Sequence, residues 1–169
     1  EAQSVFRQLR PGKWVTAKTS DSGELQSLVF PLNGARDNAI FVDRLEGGLQ
    51  IREAELHLET RTLMKSGEIR VSLFGATDAA GLPDSVATQM ADLFGGDIDF
   101  HRDLRRGDRF SVVYEGLYHR GQLVRTGRIL AAEFVNAGRA HHAVWYQADS
   151  GRGAYFGLDG QSKRRSFLS

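Results

Sequence analysis

The sequence lacks cysteine, has only three prolines and contains no long apolar run among its 169 residues. Without cysteine there is no disulfide framework, no thiol nucleophile and no Cys-ligated metal site. No stretch of 18 apolar residues occurs, and no basic stretch followed by an apolar run opens the chain, so we expect neither a membrane span nor a retained signal peptide. Because the first residue is Glu1, we expect a processed or truncated piece of a longer protein.

The net charge is also close to zero, since 22 Lys and Arg residues face 21 Asp and Glu residues. This balance gives no general field for DNA, RNA or anionic lipid, so we expect no nucleic-acid partner. A hydrophobic fraction of 41% and a charged fraction of 25% are ordinary for a folded soluble chain and exclude disordered, collagen-like and coiled-coil classes. The length allows one compact domain or two small ones.

The first third of the chain has the alternation and turn residues of antiparallel strands. Two hairpins are predicted, one turning at Asp21–Gly23 and one at Glu46–Gly48, with glycine supplying the positive φ that such loops need. Their strands are 14–18 with 25–30, and 39–42 with 49–52. The alternation of polar and apolar residues over 53–63 predicts one further strand with one solvent-exposed face.

The pattern changes between Ser72 and Phe94, where apolar residues recur at spacings of three and four and predict two short helices. Ser72 is a suitable N-cap for the first helix, Gly81 can end it in the left-handed conformation, and Pro83 with Asp84 can start the second.

Strand patterns return at 110–114, 129–135 and 140–146, with hairpin loops predicted at 136–138 and 159–160. The fold class is therefore α+β, a mainly antiparallel β meander with one inserted helix pair. We place a domain boundary between residues 66 and 67, so that residues 1–66 form a β-rich part and residues 67–169 form an α+β domain with hairpins at 122–168.

Five histidines are the first candidates for a metal site, but their spacing is unfavourable. His57 is isolated, His101 lies two residues before Asp103, and the adjacent His141 and His142 would point to opposite faces of a strand. A Gly-x-Ser-x-Gly elbow is also missing, which excludes the common serine-hydrolase arrangement.

Acidic and basic residues cluster in the segment after the helices. Asp97, Asp99 and Asp103 can do acid–base work or bind Ca²⁺, although carboxylates after a helix more often accept hydrogen bonds from local N–H groups. Arg105 and Arg106 lie between Arg102 and Arg109. They can bind a phosphate or the carboxylates of a peptide stem, or they can form ion pairs with the neighbouring acidic residues in an exposed turn. Asp97, Asp99, Arg105 and Arg106 are the binding candidates. Four aromatic residues can stack on sugar rings or belong to the core: Trp145, Tyr146, Tyr155 and Phe156.

Residues 72–115 carry the most specific motifs, with Ser72–Ala76, Ala79–Asp84, Asp97–Phe100 and Asp103–Phe110. This stretch resembles the second N-terminal domain of exported murein endopeptidases, whose lysostaphin-type zinc domain lies at the C-terminus. Residues 127–134 and 155–168 are similar to the segments that precede that catalytic domain, and residues 9–12 are similar to the tail of a LysM-like module.

The resemblance implies a LysM-like βααβ unit at residues 67–115, a fold that commonly binds peptidoglycan glycan. It also implies N-terminal domains that pack against the zinc domain and limit access to its cleft. The family's zinc ligands, a His followed four positions later by Asp and a later His-x-His, do not occur here. We therefore expect no cofactor in this chain and zinc in the catalytic domain of the parent protein. The resemblance also implies a location in the periplasm or envelope of a Gram-negative bacterium. Anchoring of the parent protein to the inner membrane is one arrangement consistent with that location.

Three hypotheses about function follow. The first is a non-catalytic regulatory or docking region whose partners are its own zinc peptidase domain and peptidoglycan. The second is a stand-alone module that recruits another envelope protein through an edge strand of the meander. The third is an enzyme of unfamiliar type that uses Asp97, Asp99 or His101.

Overall fold

The computed structural model describes residues 15–32, 38–148, 151 and 153–163. Within these residues the chain forms nine strands and two helices. The strands are β1 (Thr16–Thr19), β2 (Leu25–Pro31), β3 (Asn38–Leu45), β4 (Gly48–Glu55), β5 (Glu59–Glu68), β6 (Arg109–His119), β7 (Gln122–Asn136), β8 (Arg139–Gln147) and β9 (Gly153–Phe156). The helices are α1 (Leu73–Ala79) and α2 (Asp84–Phe94). The predicted α+β class is confirmed, as is the order strand, helix, helix, strand across residues 67–115.

The strands form two sheets, β1-β2-β3-β4 and β5-β6-β7-β8-β9. The first is the predicted antiparallel meander, with Thr16 opposite Val29 and Ile40 opposite Glu53. Gly23 and Gly48 both have positive φ at its turns, at +84° and +117°. The predicted residues 9–12 and 14, and residues 164–168, lie outside the described residues.

One predicted strand is wrong. Residues 53–63 do not form a single strand, because β4 ends at Glu55 and β5 begins at Glu59 in the other sheet. Leu56 lies between the two strands and is buried with Val29, Ala39 and Phe41. The alternation of buried and exposed side chains therefore continues through the connection and hides the change of sheet.

Two compact units are distinguished by their internal contacts, Glu1–Glu59 with His119–Val124, and Thr60–Tyr118 with Arg125–Ser169. Residues 66 and 67, where we place a domain boundary from the sequence, both lie within β5. The core of the first unit is built on the meander, on whose two faces Phe41 and Phe30 are buried.

The core of the second unit lies between the helix pair and the five-stranded sheet. Val86, Met90 and Phe94 recur on one face of α2 and are fully buried against residues such as Val112 of β6 and Phe134 of β7. Burying side chains of this size stabilises the fold by about 1.5–3 kcal/mol each. The amphipathic spacing seen in the sequence thus serves to hold the helix pair on one face of the sheet.

The helix ends follow the sequence predictions. Ser72 caps α1, its Oγ accepting a hydrogen bond from the backbone N–H of Gly75 at 3.1 Å. Gly81 follows α1 with φ of +65°, and Pro83 precedes α2 in an extended conformation. The short turn between the helices therefore allows α1 and α2 to pack on the same sheet.

Candidate functional site

Local hydrogen bonds occupy much of the acidic loop between α2 and β6. Asp99 Oδ1 accepts from the N–H groups of His101 at 2.9 Å and Arg102 at 3.2 Å, while Asp99 N–H donates to Asp103 Oδ2 at 3.0 Å. The Arg102 guanidinium also lies 3.7 Å from Asp99 Oδ2. This is the turn-forming role that short carboxylates after a helix commonly have.

Asp97 is held differently, because its carboxylate forms an ion pair with Lys163. The ammonium of Lys163 also lies 5.6 Å from the centre of the Phe94 ring. Lys163 therefore links the segment after β9 to the loop after α2 and to the end of that helix. Asp97 also acts on His141. Burial lowers the pKa of His141, the Asp97 charge opposes this, and nearby cations including Lys163 lower it further.

The two arginine candidates lie in an exposed turn before β6. Arg105 Nη1 donates to the carbonyl oxygens of Arg102 at 2.9 Å and Leu104 at 3.2 Å, so part of its guanidinium stabilises the turn itself. Arg106 is exposed next to it. Ligand binding by Asp97, Asp99, Arg105 and Arg106 stays a prediction, and the structure shows that the first three of them also have intramolecular partners.

Asp108 is a buried residue of this turn that the sequence did not single out. Its Oδ2 accepts from Arg105 N–H and from Asn136 Nδ2, both at 2.7 Å, and its Oδ1 accepts from Ala137 N–H at 2.9 Å. Burial alone would raise the pKa of Asp108, but these hydrogen bonds and the Arg105 charge outweigh it and leave the pKa below its usual value. Asp108 thus ties the turn to the β7–β8 hairpin.

The four aromatic candidates divide between two environments. Trp145 and Tyr155 meet edge to face with their centres 4.9 Å apart, the Arg128 guanidinium lies 4.4 Å from the Trp145 ring centre, and Tyr155 Oη donates to Ile129 O at 2.9 Å. Tyr146 instead is 63% exposed and packs its edge on Phe156. Trp145 and Tyr155 therefore serve packing, and Tyr146 is the one available to a ligand surface.

Histidine does not assemble a metal centre in the described part of the chain. His142 Nε2 lies 2.9 Å from Glu133 Oε2 across the β7–β8 pair, and the adjacent His141 lies near Asp97 and Lys163. Within the described ranges no three His, Cys, Asp or Glu side chains come together, so these residues do not fit a zinc site. Nor does any helix there have the length and apolar character to cross a membrane.

Two clefts flank the C-terminal end of β5, which no strand of the described chain pairs on its outer side. The cleft on the helix side measures about 350 Å³ and lies between Ser66–Glu68 and the small residues of α1 and its C-cap, Gly75, Ala76, Ala79 and Ala80. The cleft on the other side measures about 430 Å³ and is lined by Ser66–Glu68 and Arg109–Ser111. Small residues at spacings of four in α1 were the sequence signal for the first cleft, and we did not predict it.

Gly67 lies between these clefts, where a side chain does not fit. A Cβ at this position would lie 2.7 Å from Cζ and 2.8 Å from Cε1 of Phe110. Non-bonded carbon atoms do not approach so closely, so the Phe110 ring or the β5 backbone would have to move. Phe110 is itself buried in the core of the second unit. Glycine therefore lets the Phe110 ring pack directly beneath the backbone of β5.

Several characterised proteins are similar to this chain. It is 33% identical over 101 residues to the peptidoglycan DD-endopeptidase ShyC of Vibrio cholerae, covering 60% of this chain and 23% of that protein. It is 27% identical over 159 residues to ShyB of the same species, covering 94% and 36%. It is 29% identical over 142 residues to the DD-carboxypeptidase/endopeptidase Mpg of Neisseria meningitidis, covering 83% and 33%. The chain thus spans about a quarter to a third of the length of these relatives.

Solved structures give the same result. A zinc-containing peptidase from Vibrio cholerae matches with a TM-score of 0.57 and 25% identity over 94% of this chain and 47% of its own. Csd3 of Helicobacter pylori matches with a TM-score of 0.60 at 13% identity, over 92% of this chain and 41% of its own, which shows a shared fold. No family model matches the chain. The resemblance predicted from the motifs is confirmed, since the chain is similar to part of several peptidoglycan endopeptidases.

Proposed function

We propose that the chain is a non-catalytic regulatory or docking region of a bacterial peptidoglycan zinc metalloendopeptidase. The observation that supports this proposal is the coverage of the matches, since 94% of this chain matches proteins of which it covers only 36% and 47%. The relatives therefore contain a large part that this chain does not match. In the proposal, that part of the parent protein holds the zinc and performs the cleavage.

The partners in this proposal are the zinc peptidase domain of the same protein and peptidoglycan, and the place of action is the periplasm. The intramolecular contacts of the described residues support a scaffold role. Asp108 joins the turn before β6 to the β7–β8 hairpin, and Asp97 joins the loop after α2 to Lys163. Hydrogen bonds and ion pairs of this kind hold the surface of the second unit in one arrangement, which a docking region requires.

Two assays test the proposal. The purified chain is sedimented with isolated peptidoglycan sacculi, and it is added to the Vibrio cholerae zinc-containing peptidase from which the matching region has been deleted. We expect the chain to sediment with sacculi or to slow the truncated peptidase in proportion to its concentration. If it does neither, the proposal is wrong.

The meander supports a second candidate function, recruitment of another envelope protein through an edge strand. β4 is the outer strand of the four-stranded sheet, and nearly all of its residues are exposed, including Leu49 and Ile51. Successive residues of a strand direct their N–H groups to opposite edges. Proline is therefore placed at Gln50 and at Ile51 in separate variants, and only the one whose N–H faces outward should abolish partner capture while the fold stays intact.

A further inference from the structure

From the two clefts beside β5 we infer a binding site for the stem peptide of peptidoglycan, and this inference rests on the proposed function. The site is the outer edge of β5 at Ser66–Glu68 together with the cleft on each side of it. Its ligand is a short extended amide chain that carries methyl side chains and carboxylates.

The edge of β5 provides the main-chain part of the site. β5 is the end strand of its sheet, and the described chain contains no strand on its outer side. An end strand presents unpaired N–H and C=O groups, which bind an extended amide chain in the manner of an added strand. The side chains of such a chain alternate between the two faces of the sheet, so both clefts receive them.

The cleft on the helix side selects small groups. Its floor is formed by residues with at most a methyl group, Gly75, Ala76, Ala79 and Ala80, and most of its exposed lining is apolar. A volume of about 350 Å³ between a strand edge and the small residues of α1 accepts the methyl group of an alanine. Stem peptides contain alanine, so their methyl groups match this floor.

The cleft on the other face selects charge. Arg109 lines it and Arg70 lines the helix-side cleft, so an arginine contributes to the cleft on each side of the strand edge. Arginine binds carboxylates through paired charge-assisted hydrogen bonds. Glu68 lines both clefts and supplies the opposite charge, which suits the free amino group of the diamino acid in a stem peptide.

The direct test is titration of the chain with the sugar-free tetrapeptide stem released from sacculi, followed by calorimetry and by NMR of the backbone amides. Two exposed positions are changed, one in each cleft. Ala79→Leu fills the helix-side cleft, and Arg109→Gln removes the guanidinium on the other face. Asp78→Leu adds the same side chain to α1 at an exposed residue that does not line the cleft, and it serves as the matched control.

We expect saturable binding that shifts the amides of Ser66, Gly67 and Glu68. Arg109→Gln should weaken it about tenfold, as for one lost charge-assisted contact. Ala79→Leu should weaken it about as much because the added side chain occupies the cleft, and Asp78→Leu should leave it unchanged. Thermal unfolding confirms that the variants are folded. Equal binding by wild type and Ala79→Leu would place the ligand elsewhere and overturn the inference. Sedimentation with sacculi without binding of the free stem would also overturn it, while leaving the proposed function in place.

Discussion

Asp108 is a buried carboxylate that three donors hold between the turn before β6 and the β7–β8 hairpin. Replacing it with alanine leaves the N–H groups of Arg105 and Ala137 without their acceptor, while the Asn136 amide keeps only its hydrogen bond to Asp103 O. We predict that Asp108→Ala lowers the free energy of unfolding by about 2–4 kcal/mol, as for loss of a buried hydrogen-bond network. Asp99→Ala is the control, since water replaces its exposed acceptor and the loss stays below about 1 kcal/mol. Urea unfolding measures both, and equal losses would contradict the distinction.

The same carboxylate gives a prediction for acid pH. Its pKa in the folded state is lowered from the ordinary value of 3.8. A lowered folded-state pKa means that the contribution of Asp108 to stability is fully present above pH 3.8 and is lost as pH falls through the folded-state pKa. The difference in unfolding free energy between wild type and Asp108→Ala should therefore be constant near neutral pH and shrink below pH 3.8. A difference that grows on acidification would contradict this assignment.

At the residue scale, sequence reasoning succeeded where the relevant partner is close in the chain. Ser72 as an N-cap and Gly81 as a left-handed residue depend on neighbours within a few positions. Asp108 was missed because two of its donors, Asn136 and Ala137, lie in a hairpin 28 and 29 residues away. The local pattern of alternating Asp and Arg gave no sign that one of these carboxylates is buried.

At the scale of single elements, the end of β5 depends on the missing side chain of Gly67. We predict that Gly67→Ala destabilises the protein by about 1–3 kcal/mol, because its Cβ forces the buried Phe110 ring to move. Gly96→Ala is the control, since a Cβ there meets no atom within 4 Å. Thermal or urea unfolding compares them. In a double-mutant cycle, Gly67→Ala and Phe110→Leu should be less than additive, and full additivity would show that the two residues do not interact.

Strand boundaries were the weakest part of the sequence predictions at this scale. β7 runs from Gln122 to Asn136, although its apolar alternation is clear only from Ile129. Apart from Leu123 and Val124, its first half lacks apolar side chains and is partly exposed. The β6–β7 turn uses Arg120 with φ of +49°, a residue type that rarely signals a left-handed turn. The alternation of residues 53–63 was misleading for the opposite reason, since it continued across a change of sheet.

At the scale of the whole molecule, we predict that the purified chain has no peptidase activity. We expect no cleavage of isolated sacculi and no stoichiometric zinc after dialysis against a zinc-containing buffer, because the proposed function assigns the zinc and the cleavage to another part of the parent protein. Release of soluble fragments and metal analysis measure the two properties. Cleavage that needs zinc and is stopped by a chelator would refute the non-catalytic assignment.

The relationship to peptidoglycan endopeptidases was accessible from the sequence because motifs such as Ala79–Asp84 and Asp103–Phe110 encode a helix connection and a turn that this fold needs. The clefts beside β5 were not accessible, because they combine residues of β5, α1 and β6 that only the folded sheet brings together. The molecule therefore illustrates that family and fold follow from local motifs, whereas a surface site follows from packing.

We propose above that this chain is the non-catalytic part of a longer zinc peptidase. The most direct test of this proposal is to sequence the encoding gene beyond the codon for Ser169. We predict an open reading frame that contains a His with an Asp four residues later, followed by a His-x-His pair. A stop codon directly after Ser169, or a continuation without those ligands, would contradict it and would direct attention to a binding partner of a different kind.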